Sequence, residues 1–379
     1  MFEKTVRFAI IGGGLMGREF ASAAARWCHL NADVPRPEIV AICSRTEKSR
    51  AWFEKNFPDI RYSTADYREL LDKEDIDAVY CAVPHDLHAE MYVGIINAGK
   101  HLLGEKPFGM DKAANDKIMA AVAAHPEVMV RCSSEFPFYP ACIELIRWIE
   151  EGRFGKLIEV RSSFCHSSDM DTTKPINWKR QIEINGEYGC MGDLGLHTQH
   201  VPFRMGWKPL NVYANLSKIV TERPDGKGGI VPCLTWDNAI LNCDVRDADG
   251  GIFPMILETK RLAPGCTNEW KLEVYGLEAS ARFSTNDPCA FNFTQSYGRE
   301  QAWCRVDLGY KSVIPTITGG IFEFGFTDAI LQMWATFICE LCGIPVKFGC
   351  IRPEETALSH KVYTAALESQ RTRRAVEID

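Results

Sequence analysis

Over the first third of the chain, short runs that are apolar throughout alternate with longer segments of mixed polarity. Residues 5–11, 38–43, 76–83, 101–104 and 128–132 have the length and continuous hydrophobicity of strands buried on both faces. Between them, residues 18–27, 47–56, 87–98 and 111–124 read as helices, alanine-rich or charged along one side. Strand and helix alternate without a hairpin signal, which predicts a parallel, doubly wound α/β sheet. The pattern changes after Pro126. A helix over 141–151 leads into strand-like runs at 157–164, 210–216, 235–245, 253–260, 270–275 and 302–308, some separated by turns such as Asp249-Gly250-Gly251. Those turns suggest antiparallel pairing. Helices over 328–342 and 353–369 close the chain. Two domains are expected, 1–132 and 133–379, with the last helix packing back towards the first.

Composition narrows the class. A chain of 379 residues with 46% hydrophobic and 25% charged residues has the balance of a globular protein with room for two cores. Its net charge of −7 argues against binding to nucleic acid or to an anionic membrane surface. Apolar runs are broken by Gly, Pro or charge before reaching a membrane span's length. The chain enters a strand within its first residues, so no export signal is expected and a cytoplasmic location is. Fifteen cysteines, an odd number set among apolar neighbours, read as reduced, buried side chains. Cys339 and Cys342 have redox or metal spacing but sit in an apolar helical run with no second pair, and no metal site is expected.

Candidate chemistry begins at Gly12-x-Gly14-x-x-Gly17, with Leu15 and Met16 between the last two glycines. The motif follows a strand and opens a helix, the context in which backbone N–H groups and the helix terminus hold a dinucleotide pyrophosphate. A Rossmann domain binding NAD(P) is the reading. NAD-preferring sites usually place a carboxylate at the end of the second strand; this chain has Ser44-Arg45-Thr46 there, with Arg50 near, which leans towards NADP(H). Lys106 precedes Pro107, so it sits in extended backbone where a strand ends, at the edge where open α/β sheets bind ligands. In the second half, Asp193 and His197 are four residues apart and share one face if helical. A carboxylate beside an imidazole makes a proton-transfer group. A metal reading of Cys190, Asp193, His197 and His200 matches no common ligand spacing. Trp178, in Asn177-Trp178-Lys179-Arg180, offers a ring face for a sugar or a core side chain.

These residues resemble a known family. Ile76-Asp77-Ala78-Val79 with Pro84-His85-x-x-His88, Ala98-Gly99-Lys100-His101, Glu105-Lys106-Pro107, Gly152-Arg153-Phe154-Gly155, Asp193-x-x-x-His197, the stretch from Glu273 to Glu278 and Arg352-Pro353 are similar to the glucose–fructose oxidoreductase and inositol dehydrogenase (Gfo/Idh/MocA) family. The resemblance implies a Rossmann domain followed by an α/β domain with a large, mostly antiparallel open sheet that mediates homodimers or homotetramers. It implies nicotinamide-dependent oxidation or reduction of a sugar, cyclitol or related hydroxyl. By position, Lys106 corresponds to the active-site lysine, and Asp193 and His197 to the acid/base pair, all three facing substrate. Pro84, His88 and Glu105 fall on the cofactor cleft. Ser133-Ser134-Glu135 departs from the family's usual residues there and leaves substrate identity open. Two alternatives stay open: a redox-neutral glycosidase, lyase or epimerase with retained NAD(P), and a non-catalytic sensor.

Overall fold

The computed structural model describes residues 5–295 and 300–378. Six strands, β1 (Thr5–Ile11), β2 (Arg36–Cys43), β3 (Tyr62–Thr64), β4 (Ala78–Cys81), β5 (His101–Gly104) and β6 (Val130–Cys132), form a parallel sheet in the order β3-β2-β1-β4-β5-β6. Crossovers run through α1 (Leu15–Ala25), α2 (Glu47–Asn56), α3 (Arg68–Leu71), α4 (His88–Asn97) and α5 (Lys112–Ala124). Side-chain caps fix two helix starts: Thr46 accepts the Ser49 N–H, and Asp111 accepts the Ala114 N–H. Strand order reverses between β1 and β4, so a crevice opens at their carboxyl ends.

Helix α6 (Pro140–Glu150) leads into β7 (Leu157–His166), followed by α7 (Ile182–Asn185), α8 (Cys190–Arg204), β8 (Lys208–Pro209) and β9 (Asn211–Ser217). A hairpin, β10 (Glu222–Pro224) with β11 (Ile230–Pro232), precedes β12 (Asn238–Arg246), β13 (Ile252–Lys260), β14 (Asn268–Gly276), β15 (Ala279–Ser284), β16 (Ala290–Gln295) and β17 (Cys304–Asp307). The chain ends in α9 (Phe326–Leu341), α10 (Pro353–Thr372) and β18 (Val376–Glu377). Among the described residues the large sheet runs β17-β16-β15-β14-β7-β13-β12-β9-β18, with β8 beside β12. Its pairings are antiparallel except β7 with β13, so the expected mostly antiparallel sheet is present. Burial alternates along β13, where Phe253, Met255, Leu257 and Thr259 point inward; α8 packs on that covered face.

Both closing helices return to the first sheet. Trp334 of α9 meets Phe20 and Tyr80 at ring-centroid distances of 4.9 and 5.5 Å, and Phe337 meets Phe8 at 6.3 Å. Ala329 to Cys339 is buried on every side, which is why its sequence is apolar all round. From α10, His360 Nε2 lies 2.8 Å from the Pro107 carbonyl oxygen, and Thr356 accepts from Asn115 of α5. Strands β3, β15 and β16 and the β10–β11 hairpin are absent from the sequence-based expectation. Their residues are short or mixed in polarity, and their neighbours in the sheets make them strands.

Candidate active site

The glycine loop divides by what surrounds each residue. Gly12 has φ +106°, and a Cβ there would lie 2.1 Å from the Ala82 carbonyl oxygen; one on Gly17 would lie 2.1 Å from the Gly12 oxygen. These two permit the turn and the packing of α1 on the sheet. Gly14 faces open space, and Leu15 beside it is 73% exposed. The α1 N-terminus carries no acidic residue in its first turn. Free N–H groups, an open glycine and an apolar side chain awaiting cover fit a dinucleotide. Met16 packs partly on the core. At the end of β2, Arg50 donates to the Ser44 carbonyl oxygen at 2.6 Å, Arg45 is exposed, and no carboxylate stands in Ser44-Arg45-Thr46.

Of the residues expected around the nicotinamide end, Pro84 stands three residues past the end of β4, half-buried. His88 points inward: Nε2 lies 3.0 Å from the Val83 carbonyl oxygen, Gly109 N–H reaches Nδ1 at 3.4 Å, and the ring stacks on Tyr92. Burial pushes it down to about 3, so it is a neutral scaffold ring. Glu105 is also turned into the domain, where Tyr80 and Ser133 donate to its Oε1 at 2.6 and 2.7 Å. Neither side chain is free for a cofactor, and both brace the β4 and β5 ends.

Lys106 joins the two domains. Its Nζ lies 2.8 Å from the Asp193 carboxylate and 2.7 Å from the Asp193 carbonyl oxygen. Burial, with repulsion from Arg261 and despite Glu105 and Glu135, lowers the ammonium to about 8. Asp193, fully buried on α8, also pairs with Lys179 at 3.2 Å and with Arg261. Arg261 in turn meets Asp169 at 3.1 Å, Asp169 meets Arg180 at 2.7 Å, and Arg180 pairs with Asp237.

His197 departs from the expected pairing. The Asp193 carboxylate is taken up by three cations, and Nδ1 of His197 instead lies 3.1 Å from Ser134 Oγ, with Glu135 Oε2 at 3.9 Å. Phe136 and Phe164 flank the ring edge-on, and Trp270 Nε1 donates to the His197 carbonyl oxygen at 3.0 Å. Burial, then Lys106 and Lys179, push the imidazole far down, while burial raises Glu135 to about 7. In the tautomer whose Nδ1–H donates to Ser134 Oγ, the neutral imidazole keeps Nε2 as a proton acceptor.

Comparison with known proteins now bears on this arrangement. Residues 6–133 match the family model described as "Oxidoreductase family, NAD-binding Rossmann fold", that of Gfo/Idh/MocA proteins. The first domain of the chain, residues 6–133, is of the Gfo/Idh/MocA NAD-binding Rossmann type. It is 26% identical over 290 residues to levoglucosan dehydrogenase of Pseudarthrobacter phenanthrenivorans, covering 74% of each chain. It is 26% identical over 237 residues to the scyllo-inositol 2-dehydrogenase (NADP(+)) of Bacillus subtilis, covering 62% of this chain and 69% of that one. A solved levoglucosan dehydrogenase, in complex with NADH and L-sorbose, superposes with a TM-score of 0.87 at 22% identity, covering 99% of both chains, which shows the shared fold.

The structure sets Lys106 and Lys179 on Asp193, with His197 one turn further along α8; Trp178, under the Lys179 ammonium, stands edge-on to His85 at 4.9 Å. Cys190 accepts from Thr259 and His200 packs on Phe348. Sequence reasoning missed Arg261 and Asp169. Each lies just past the end of a strand, β13 and β7, and nothing local distinguishes an arginine there from a surface one.

Proposed function

We propose that this protein is an NAD(P)-dependent dehydrogenase of a sugar, cyclitol or related polyol, with Lys106 and His197 as its reacting side chains and Asp193 beside them. The carrying observation is the Lys106–Asp193 contact at 2.8 Å, which sets a lysine from the cofactor sheet against the α8 helix that holds His197. Bound NAD(P) would lie on Gly12, Gly14 and Gly17 and supply the acceptor for a hydride from the substrate carbon. As that carbon gives up hydride, its hydroxyl proton must leave. His197 Nε2 takes it, and Lys106 donates to the oxygen as negative charge develops. Asp193 is a positioning residue that holds Lys106 and Lys179 in place. Reduction runs the same transfers in reverse.

The cofactor reading is NADP(H). Ser44-Arg45-Thr46 sets no carboxylate against a 2′-phosphate, and Arg45 is free to pair with one. The solvent-facing side of the large sheet is proposed to pair two or four copies, which light scattering tests. The deciding experiment is a screen of sugars, cyclitols and their keto forms with both dinucleotides, read at the nicotinamide absorbance. Reduction of NADP+ by at least one polyol is expected. Tight dinucleotide binding with no turnover across the panel would sink the reading and favour a redox-neutral enzyme or a sensor.

A further inference from the structure

Bordering Lys179 and Arg261, both partners of Asp193, lies a cavity of about 280 Å³, lined by Asp169, Lys174, Trp178, Lys179, Arg223 and Arg261 among others. It is smaller than the ~300–1,000 Å³ of sites that enclose drug-sized ligands, and its scale is that of a single sugar unit. Its charge is lopsided. Four of those six side chains are cationic and one is a carboxylate.

The surrounding ion pairs do not absorb the excess. Asp193 is shared by Lys106, Lys179 and Arg261, and Asp169 by Arg261 and Arg180. Asp237 serves Arg180 and also accepts the backbone N–H groups of Ile219 and Val220. Arg223 is buried and meets no carboxylate in these pairs; its Nη atoms donate to the carbonyl oxygens of Asp171 and Asp169. Four cations therefore share three carboxylates, and Arg223 is left without one. Nε of Arg223 and Nε of Arg261 are buried and have no hydrogen-bond acceptor among the described residues. Burial, then Arg261 and Lys106, push the Lys179 ammonium far down against the pull of Asp169 and Glu105. The pyrophosphate site at Gly14 is on α1 and supplies no anion to this second-domain cavity. Buried guanidinium N–H groups without acceptors are strongly drawn to an oxyanion.

Resting on the reading of this cleft as a dehydrogenase's substrate site, we propose that the substrate is an anionic monosaccharide, its carboxylate or phosphate seated against Lys179, Arg223 and Arg261. A neutral polyol would leave this cationic lining facing a ligand with no charge to offer.

The test uses the full-length chain with D-gluconate, D-glucuronate and a hexose monophosphate against D-glucose and myo-inositol, at matched ionic strength. One anionic sugar is expected to exceed its neutral counterpart at least tenfold in kcat/KM, with the advantage shrinking on added salt; carboxylate or phosphate preference then identifies the group. Arg223→Met should bring the anionic-to-neutral ratio towards one, and Arg223→Lys should restore much of it. If Arg223→Met does not fold, Lys174→Met at the exposed rim should lower the same ratio by a smaller factor. Oxidation of neutral polyols equal to or better than their anionic counterparts would overturn this inference and leave the dehydrogenase standing. Anionic sugars that bind the dinucleotide complex by calorimetry without reducing it would support the anion seat and count against the dehydrogenase.

Discussion

Ser134 Oγ stands 3.1 Å from Nδ1 of His197, so the imidazole is oriented by the segment that leaves the first sheet, not by the aspartate one turn before it on its own helix. Ser134→Ala should leave the ring in place but without its fixing partner. We expect kcat to fall roughly ten- to a hundredfold with little change in KM, the range for misplacing a reacting group. Ser134→Thr, which keeps the hydroxyl, should recover much of the rate. Steady-state kinetics on both variants decide it, and an Ala variant with unchanged kcat would remove Ser134 from the site's geometry.

Lys106→Met removes the donor to the substrate oxygen while leaving the glycine loop untouched. NAD(P)H affinity, read by fluorescence titration, should be within a few-fold of the parent. Turnover should drop by about a hundredfold or more. Turnover close to the parent's would assign the chemistry elsewhere.

Cofactor choice is set at the end of β2. Ser44→Asp would place a carboxylate where a ribose hydroxyl or a 2′-phosphate lies. The expected result is weaker NADP+ binding and a ratio of kcat/KM values moved at least tenfold towards NAD+. An unchanged ratio would mean that another segment reads the ribose.

Removing Asp237 strips Arg180 of one of its two carboxylates and orphans the Ile219 and Val220 amides. Breaking a buried ion pair from one side typically costs about 3–5 kcal/mol. Asp237→Ala should show a loss of that order in urea denaturation. A loss under about 1 kcal/mol would show that water or rearrangement replaces the pair.

Acid should unfold this protein readily. Burial holds His88 and His166 at about 3 and His360 at about 4, and pushes His85, His197 and His200 far below their ordinary value. In the unfolded chain the same rings protonate near pH 6.5. The unfolded state then binds more protons as pH falls, so their contribution is whole above pH 6.5 and is lost on acidification. At pH 5 each ring can account for up to about 2 kcal/mol. Glu135, raised to about 7 by burial, and Asp86, also raised by burial, work in the opposite sense, but they are two groups against six. The urea midpoint should fall between pH 7 and pH 5; a flat or rising midpoint would contradict the assignment.

Much of the cofactor half was legible because its signals are local. An apolar run closed by Gly12-x-Gly14-x-x-Gly17 specifies strand, turn and helix within a dozen residues, and Pro107 fixes where Lys106 stands. The acid/base helix was legible in part: Asp193 and His197 do share α8, but spacing cannot say which groups from other elements will reach them. Lys179 and Arg261 claim the carboxylate, and Ser134 claims the imidazole, through contacts between residues up to 68 positions apart in the chain (193 and 261). The same limit explains β15 and β16, whose identity comes from the strands beside them, and the inward turn of His88 and Glu105, which a loop histidine and a strand-end glutamate do not announce.

The placement of α9 has a consequence for how the protein is made. Phe8, Phe20 and Tyr80 are synthesised early, yet the rings that cover them, Trp334 and Phe337, emerge from the ribosome only when most of the chain is already out. The nascent dinucleotide-binding domain must therefore wait with an aromatic face open to whatever surrounds it. A chain cut before residue 326 would be expected to collect on chaperones or in aggregates even though every residue of its first sheet is present.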